Sequence, residues 1–275
     1  MPELPEVEVV CRGLDALICG EKIGAITTFR DGLRYPFPDF SELVGASIEQ
    51  VCRRSKYILI RCVLEQGEPR LLVWHLGMTG QFHVLPMAAE AGKHEHVRLD
   101  FEDGQSLRYR DARRFGYAGV FSEASWLQSD WYQALGPEPL SPSFHADYFY
   151  ALCKKSNTAI KPLMMQARAV VGVGNIYASE SLFQAGIHPK RMAKRIAYRR
   201  VEALVLAIQQ TLSRAIDAGG SSISDFVQVD GKPGYFAHDF YVYGREGAPC
   251  RRCSAQIKRM VQTGRSTFYC PQCQR

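Results

Sequence analysis

At 275 residues, 46% hydrophobic and 23% charged, the chain is long enough for a sizeable core in one or two domains, and its composition excludes a disordered or fibrous protein. No apolar run approaches the roughly 18 residues of a membrane span, and Glu3, Glu6 and Glu8 stand where a secretory leader would carry Lys or Arg. The net charge of +6 is divided unevenly: residues 1–153 hold 15 Lys+Arg against 21 Asp+Glu, whereas residues 154–275 hold 19 against 7.

The expected compartment is therefore the cytoplasm, where the nine cysteines should be reduced thiols or metal ligands. A basic half suits a polyanionic partner, most simply nucleic acid, and equally suits a solvated surface with no partner.

In chain order, Leu4, Val7, Cys11, Leu14 and Ile18 recur at spacings of three and four before Gly20. That predicts a one-faced helix over 3–19, with Pro5 tolerated in its first turn. Runs rich in β-branched and aromatic residues follow: KIGAITTF, SIEQVCRRSKYILIRCVL and RLLVWHLGMTGQFHVL. HVRLDF and QSLRYRD flank EDG and read as a hairpin. The first half is expected to be one helix plus an antiparallel β sandwich.

LGPEPLSPSF (135–144) carries three prolines and reads as a linker. Helical patterns are then expected over 144–155, 158–170, 175–186 and 197–218, the last stopped by Gly219-Gly220. QVDGKPGYF reads as a loop leading to a cysteine-bearing tail. No internal repeat is present, and the class is α+β in two domains with a cleft between them.

Two C-x-x-C pairs, Cys250/Cys253 and Cys270/Cys273, are separated by sixteen residues. Paired knuckles of this kind complete a tetrahedral all-thiolate site, so one structural Zn2+ in a β-hairpin finger is expected. Such a site is closed and leaves no coordination position for catalysis. Cys11, Cys19, Cys52, Cys62 and Cys153 lack metal spacing and are expected as small buried hydrophobes. Arg265, beside the turn of the finger, is placed to press on a phosphate.

VVGVGNIYASESLF (170–183) sets two glycines and Asn175 before a helix, a start whose exposed N–H groups suit a phosphate. Taken by itself the stretch favours a tight interhelical turn with Asn175 as N-cap, and the basic residues Lys154, Lys155, Lys161 and Arg168 are what make a phosphate clamp an alternative. A dinucleotide fingerprint is excluded by the missing third glycine and the missing βαβ pattern.

Taken in order, PELPEVE (2–8), RRSKYILI (53–60), HLGMTG (75–80), RRFG (113–116), AIKPLMM (159–165), GVGNIYASESLFQAGIHP (172–189), DGKPGYF (230–236) and GRSTFYCPQC (264–273) span the whole chain. In this combination the sequence resembles the bacterial formamidopyrimidine-DNA glycosylase family of base-excision repair enzymes. The resemblance implies a helix-and-β-sandwich catalytic domain over 1–134, a helix–two-turn–helix domain over 135–245 and a zinc finger over 246–275. Duplex DNA with oxidised purines or abasic sites would occupy the cleft, and the chain would act as a monomer at the nucleoid.

The resemblance also gives the crowded N-terminus a purpose. With Met1 removed, Pro2 becomes a secondary amine; a terminal α-amine titrates near pH 7.7–8.0, against about 10.4 for lysine. Its attack on the sugar C1′ yields a cationic iminium, an electron sink through which base loss and strand nicking share one intermediate. Glu3 would be the general acid/base of ring opening, with Glu6 shaping the same pocket. Charge at the start of a helix is the plainer account of all three glutamates and is sufficient for Glu8. Lys56, expected on a strand, would face the active site and contact DNA phosphate; a snorkelling surface lysine is what the residues alone suggest.

A base must leave the duplex to be cut out, and the hole must be filled. Met78, Arg113 and Phe115 match the family's filling side chains, with Phe115 wedging between base steps and Arg113 donating to O2 and N3 of an orphaned cytosine. Without the resemblance, core packing would account for Met78 and Phe115. Ala112 stands where members of the family commonly carry proline, which bears on the rigidity of that loop. Phosphate contacts fall to Lys161, Asn175 and Arg265, and Arg265 is counted with the catalytic set. The 228–236 loop would close over the flipped purine, and His75 would support the Met78 loop. Two rivals stand beside this reading: an endonuclease VIII-type enzyme for oxidised pyrimidines, and a non-catalytic zinc-ribbon protein that binds damaged DNA.

Overall fold

The structure, a computed structural model, describes residues 2–221 and 239–275. It divides into two compact units, whose described parts are 2–133 with 219–221, and 134–218 with 239–275. The loop expected over 228–236 lies outside the described residues.

In the first unit, helix α1 (Leu4–Ile18) is followed by eight strands: β1 (Ile23–Thr28), β2 (Ser47–Arg54), β3 (Tyr57–Val63), β4 (Pro69–His75), β5 (Gly80–Pro86), β6 (Glu95–Phe101), β7 (Gln105–Asp111) and β8 (Tyr117–Phe121). They form two four-stranded antiparallel sheets, ordered β1-β6-β7-β5 and β2-β3-β4-β8. Strand alternation decides which side chains meet. Ile58, Ile60 and Cys62 of β3 join Val7, Leu14 and Ile18 of α1 and Leu99 and Leu107 of the other sheet in one core. Leu59, on the opposite face of β3, packs with Leu71, Val73 and Trp126.

Trp126 belongs to α2 (Glu123–Gln128), which with α3 (Asp130–Gln133) was not foreseen from the sequence. Ser122 caps α2 by accepting from Ser125 N–H, and the buried indole covers the back of the sheet. A six-residue amphipathic turn is too short to show a helical period, so its function as a lid on Leu59 and Val73 is visible only in three dimensions.

The second unit holds α4 (Ala146–Lys155), α5 (Ile160–Met164), α6 (Asn175–Gln184) and α7 (Tyr198–Asp217), then the hairpin β9 (Lys258–Gln262) and β10 (Arg265–Tyr269). Val201, Leu204, Val205, Ile208, Leu212 and Ala215 give α7 its buried stripe. The helix expected over 158–170 is confined to Ile160–Met164. Beyond it the backbone bonds to the preceding segment instead: Gly136 N–H donates to Ala167 O at 2.8 Å and Val171 N–H to Pro137 O at 3.1 Å. The proline-rich stretch expected as a linker is thus packed into this unit through Gly136, where a Cβ would overlap the Arg168 carbonyl.

Among the described residues, no helix is long and apolar enough to cross a membrane. Four of the five non-motif cysteines are wholly or partly buried, as expected. Cys19 is exposed, its thiol donating to Glu49 O.

Candidate functional site

Helix α1 begins where the sequence placed its unusual chemistry. Pro2 is buried, and Glu3, 2% exposed, is the N-cap. Glu3 N–H donates to Glu6 Oε2 at 2.8 Å, and the Glu6 N–H returns a bond to the Glu3 side chain, forming a capping box. Glu6, also 2% exposed, carries a second load: its Oε1 accepts from Ser221 N–H at 2.9 Å and from Ser221 Oγ at 2.8 Å. One buried carboxylate therefore joins the chain start to a residue 215 positions away. Ser221 was not foreseen, because no local pattern connects it to the first turn of α1.

Glu8 does more than favour the helix dipole. It pairs with Arg12 and Arg53, both at 2.8 Å. Burial pushes its carboxyl up, and the two guanidiniums outweigh burial and leave it below its usual value. Arg53 also donates to Ser55 O at 3.0 Å. Ser55 and Lys56 are the two-residue turn joining β2 and β3, so Lys56 sits on a turn and not on a strand. Ser55 adopts φ 59°, a conformation usually left to Gly or Asn, which is why the turn was not legible. The chain Glu8–Arg53–Ser55 fixes this turn relative to α1.

Lys56 acts on His75, at the end of β4. Burial and then the Lys56 charge hold the His75 imidazole down to about 4, so the ring is neutral at physiological pH. Its Nδ1 accepts the Gly77 N–H at 3.0 Å. The support expected of His75 for the Met78 loop is therefore present as a hydrogen bond.

Met78, Arg113 and Phe115 do not pack into the core. Met78 is 37% and Phe115 47% exposed. With Leu33, Arg34 and His75 they line one surface hollow, and the Arg113 guanidinium lies 5.1 Å from the Phe115 ring centre. The two loops touch at their bases: Gly77 adopts φ 62°, and a Cβ there would overlap the Phe115 carbonyl.

In the second unit Lys161 and Asn175 are in contact. Lys161, 1% exposed, donates from Nζ to Asn175 Oδ1 at 2.5 Å and to Thr267 Oγ1 at 2.7 Å. Asn175 Nδ2 donates to Ser266 O at 2.9 Å. The N-cap of α6 is Gly174, so Asn175 is the first helical residue and turns its side chain to the hairpin instead of its own helix. Arg265 is exposed at the hairpin tip, two residues before Thr267 and hence on the same face of β10. Buried Glu180 secures the approach to the finger, accepting N–H bonds from Tyr241, Val242 and Tyr243 at 3.0, 2.9 and 2.8 Å.

The four motif cysteines converge, their sulfurs all within 4.8 Å of one another. Cys250 and Cys273 sulfurs stand 3.9 Å apart, Cys253 and Cys270 sulfurs 3.4 Å. Thiolates at a Zn–S distance of about 2.3 Å would be separated by about 3.8 Å, so the set fits one tetrahedral zinc. Backbone N–H groups of Arg252 and Cys273 point at Cys250 and Cys270 sulfurs, as suits thiolate acceptors.

The chain matches three family descriptions in order: the formamidopyrimidine-DNA glycosylase N-terminal domain over residues 1–118, the H2TH domain of the same enzymes over 135–227, and the zinc finger found in FPG and IleRS over 247–275. It is 47% identical to the formamidopyrimidine-DNA glycosylase of Ruegeria pomeroyi and 43% identical to that of Escherichia coli, each over the full length of both chains. Among solved structures it is similar to Lactococcus lactis Fpg in complex with DNA containing an abasic site, with TM-score 0.92 and 34% identity over 99% of both chains. MutM (FPG) from Thermus thermophilus matches with TM-score 0.88 and 38% identity over 99% of this chain and 98% of that one.

Proposed function

The chain belongs to the formamidopyrimidine-DNA glycosylase family, and from that premise we propose how its residues divide the work. The protein is a DNA glycosylase and abasic-site lyase of base excision repair, acting on duplex DNA that contains oxidised purines or abasic sites, and it carries one structural zinc. The lyase step is what the buried N-terminal cluster explains.

With Met1 removed, the Pro2 nitrogen attacks C1′ of the damaged nucleotide while the base departs with a proton. Glu3 protonates the ring oxygen, the ring opens, and the nitrogen lone pair closes the C1′ iminium. Glu3, now a carboxylate, takes a C2′ proton, the C–H electron pair passes into the iminium, and the resulting enamine expels the 3′-phosphate; a second elimination expels the 5′-phosphate. Water then releases the sugar fragment and restores the amine. Glu6 orients this end of α1, and Lys56 supplies positive charge to a phosphate beside it.

Met78, Arg113 and Phe115 fill the space left by the flipped nucleotide, and Arg113 reads the orphaned base. Lys161, Asn175 and Arg265 hold the phosphates of the damaged strand, with Arg265 at the one being cut. We assign 1–134 to the catalytic domain, 135–245 to the helix–two-turn–helix domain and 246–275 to the finger, and place the protein in the cytoplasm at the nucleoid.

The observation that carries this reading is the burial of Pro2 directly ahead of the Glu3–Glu6 capping box, an arrangement that a helix start alone does not require. Borohydride reduction tests it. Processed protein should be trapped on lesion-containing duplex, and Pro2→Gly or a chain retaining Met1 should not. A reduced adduct mapped to another side chain would overturn it.

A further inference from the structure

Met78, Arg113 and Phe115 present exposed tips, yet the backbone beneath them is fastened to one carboxylate that no step above uses. Asp111, the last residue of β7, is 0% exposed. Its Oδ1 accepts the Thr79 hydroxyl at 2.5 Å, and its Oδ2 accepts Gly116 N–H at 2.8 Å and Tyr109 O–H at 3.3 Å. The same Thr79 oxygen accepts Arg113 N–H at 3.0 Å. Thr79 follows Met78, and Gly116 follows Phe115, so each void-filling loop is pinned next to the side chain that it presents.

We propose that the Asp111 carboxylate and the Thr79 hydroxyl form a clamp that sets Arg113 and Phe115 against Met78, and that this clamp governs opposite-base selectivity. A buried carboxylate is costly unless donors surround it. Here the donors are groups that would otherwise be left buried at the bases of two loops.

The surroundings leave little room for another arrangement. A Cβ on Gly116 would overlap the Tyr109 hydroxyl, and a Cβ on Gly80 would crowd the same oxygen. Asp111 is itself held from behind, its carbonyl bonded to His96 Nε2 at 2.8 Å and its N–H donating to His94 O at 3.0 Å. Ala112 places no ring in the loop, so its stiffness comes from these bonds. Arg113 must meet two acceptors on one base edge, and a tip fixed before binding meets them without an ordering cost.

The clamp rests on the reading of Met78, Arg113 and Phe115 as the filling set, and the test separates the two. Thr79→Val keeps shape and β-branching, removes the donor to Asp111 and the acceptor for Arg113 N–H, and leaves Asp111–Gly116 intact. Thr79→Ser restores the hydroxyl. Single-turnover excision of 8-oxoguanine is measured opposite cytosine and opposite adenine. Each rate is divided by the rate of borohydride trapping on a single-stranded abasic site, where there is no void and no partner base.

Thr79→Val should reduce the cytosine-over-adenine preference and the duplex rate by about five- to tenfold each, with Thr79→Ser near the parent and Arg113→Ala at least as impaired in preference. A Thr79→Val protein within about twofold of the parent on both measures, beside an impaired Arg113→Ala, overturns the clamp alone. An unimpaired Arg113→Ala overturns the filling set and the clamp with it. Should Thr79→Val fail to fold, Asp111→Asn takes its place. Its amide cannot accept both Thr79 O–H and Gly116 N–H as the carboxylate does, and the same limits apply.

Discussion

Glu6 holds Ser221 by two hydrogen bonds to one oxygen and Glu3 N–H by a third to the other. The residue that completes the capping box thus also holds a serine 215 positions further along the chain. In Glu6→Gln, one oxygen still serves Ser221, but the amide nitrogen faces the Glu3 N–H donor to donor. Losing a charge-assisted bond and leaving a buried N–H without an acceptor costs on the order of 2–3 kcal/mol. Because the fault falls beside Pro2, trapping on an abasic duplex should slow by about 10- to 100-fold while DNA affinity changes by less than about threefold. An equal loss in rate and affinity would show that Glu6 acts on binding.

Glu180 has the same chemistry in a different place. Burial pushes its carboxyl up, against three N–H donors from residues 241–243 that pull it down. Those donors lead directly to the Cys250–Cys253 knuckle. Glu180→Gln turns an acceptor into a donor opposite Tyr241 N–H and should destabilise the second unit by about 1–3 kcal/mol. The sign of the defect is local: zinc should pass to a chromogenic chelator several times faster than from the parent protein. Metal release at the parent rate would show that the finger does not depend on this anchor. Stripping zinc from the parent should likewise abolish duplex binding, and added Zn2+ should restore it.

Much of this could be seen in the linear chain, and the misses share a cause. The stripe of α1, the hairpin around EDG and the paired cysteines are local signals, each decided within a few residues. Lys56 was expected on a strand because it lies inside the β-branched and aromatic run SIEQVCRRSKYILIRCVL; the left-handed Ser55 that breaks the run, its carbonyl held by Arg53 and Arg53 by Glu8, is a tertiary feature. The helix expected over 158–170 follows a sound apolar period, but Gly136 and Pro137 take the backbone bonds that would have continued it. Asn175 looked like an N-cap, yet its side chain is used by Lys161 and Ser266. Thr79 and Asp111 lie 32 residues apart in the chain, and only the 2.5 Å between their side-chain oxygens shows them as a pair.

Lys161 and Arg265 should separate cleanly when mutated, although both are assigned to phosphate. Arg265 is exposed, so Arg265→Ala should leave stability within about 0.5 kcal/mol. Its loss should show in DNA affinity and lower the slope of log affinity against log salt by about 0.9, the release of one counterion. Lys161→Met keeps the volume but strands Asn175 Oδ1 and Thr267 Oγ1, so it should cost about 1–3 kcal/mol of stability besides affinity. Thermal unfolding and binding isotherms at several salt concentrations distinguish them. A stable, weak-binding Lys161→Met would place that lysine at the phosphate only.

His75 provides a pH test of how the Met78 loop is held. Its folded value is about 4, set by burial and then by the Lys56 charge, against about 6.5 in an unfolded chain. Between those values the unfolded state binds the extra proton, so stability must fall as pH drops from about 6.5 to about 4 and gains nothing above that interval. The separation corresponds to an upper bound of about 3 kcal/mol. Protonation also places a hydrogen on Nδ1, where Gly77 N–H needs a lone pair. His75→Asn keeps an acceptor at that position, as an Asx turn does, and does not titrate. Urea unfolding at about pH 7, 5 and 4 should therefore show the parent losing more stability than His75→Asn over this interval, with the two converging in slope above about pH 6.5. Parallel profiles across the whole range would mean that the imidazole is not the group that couples this loop to pH.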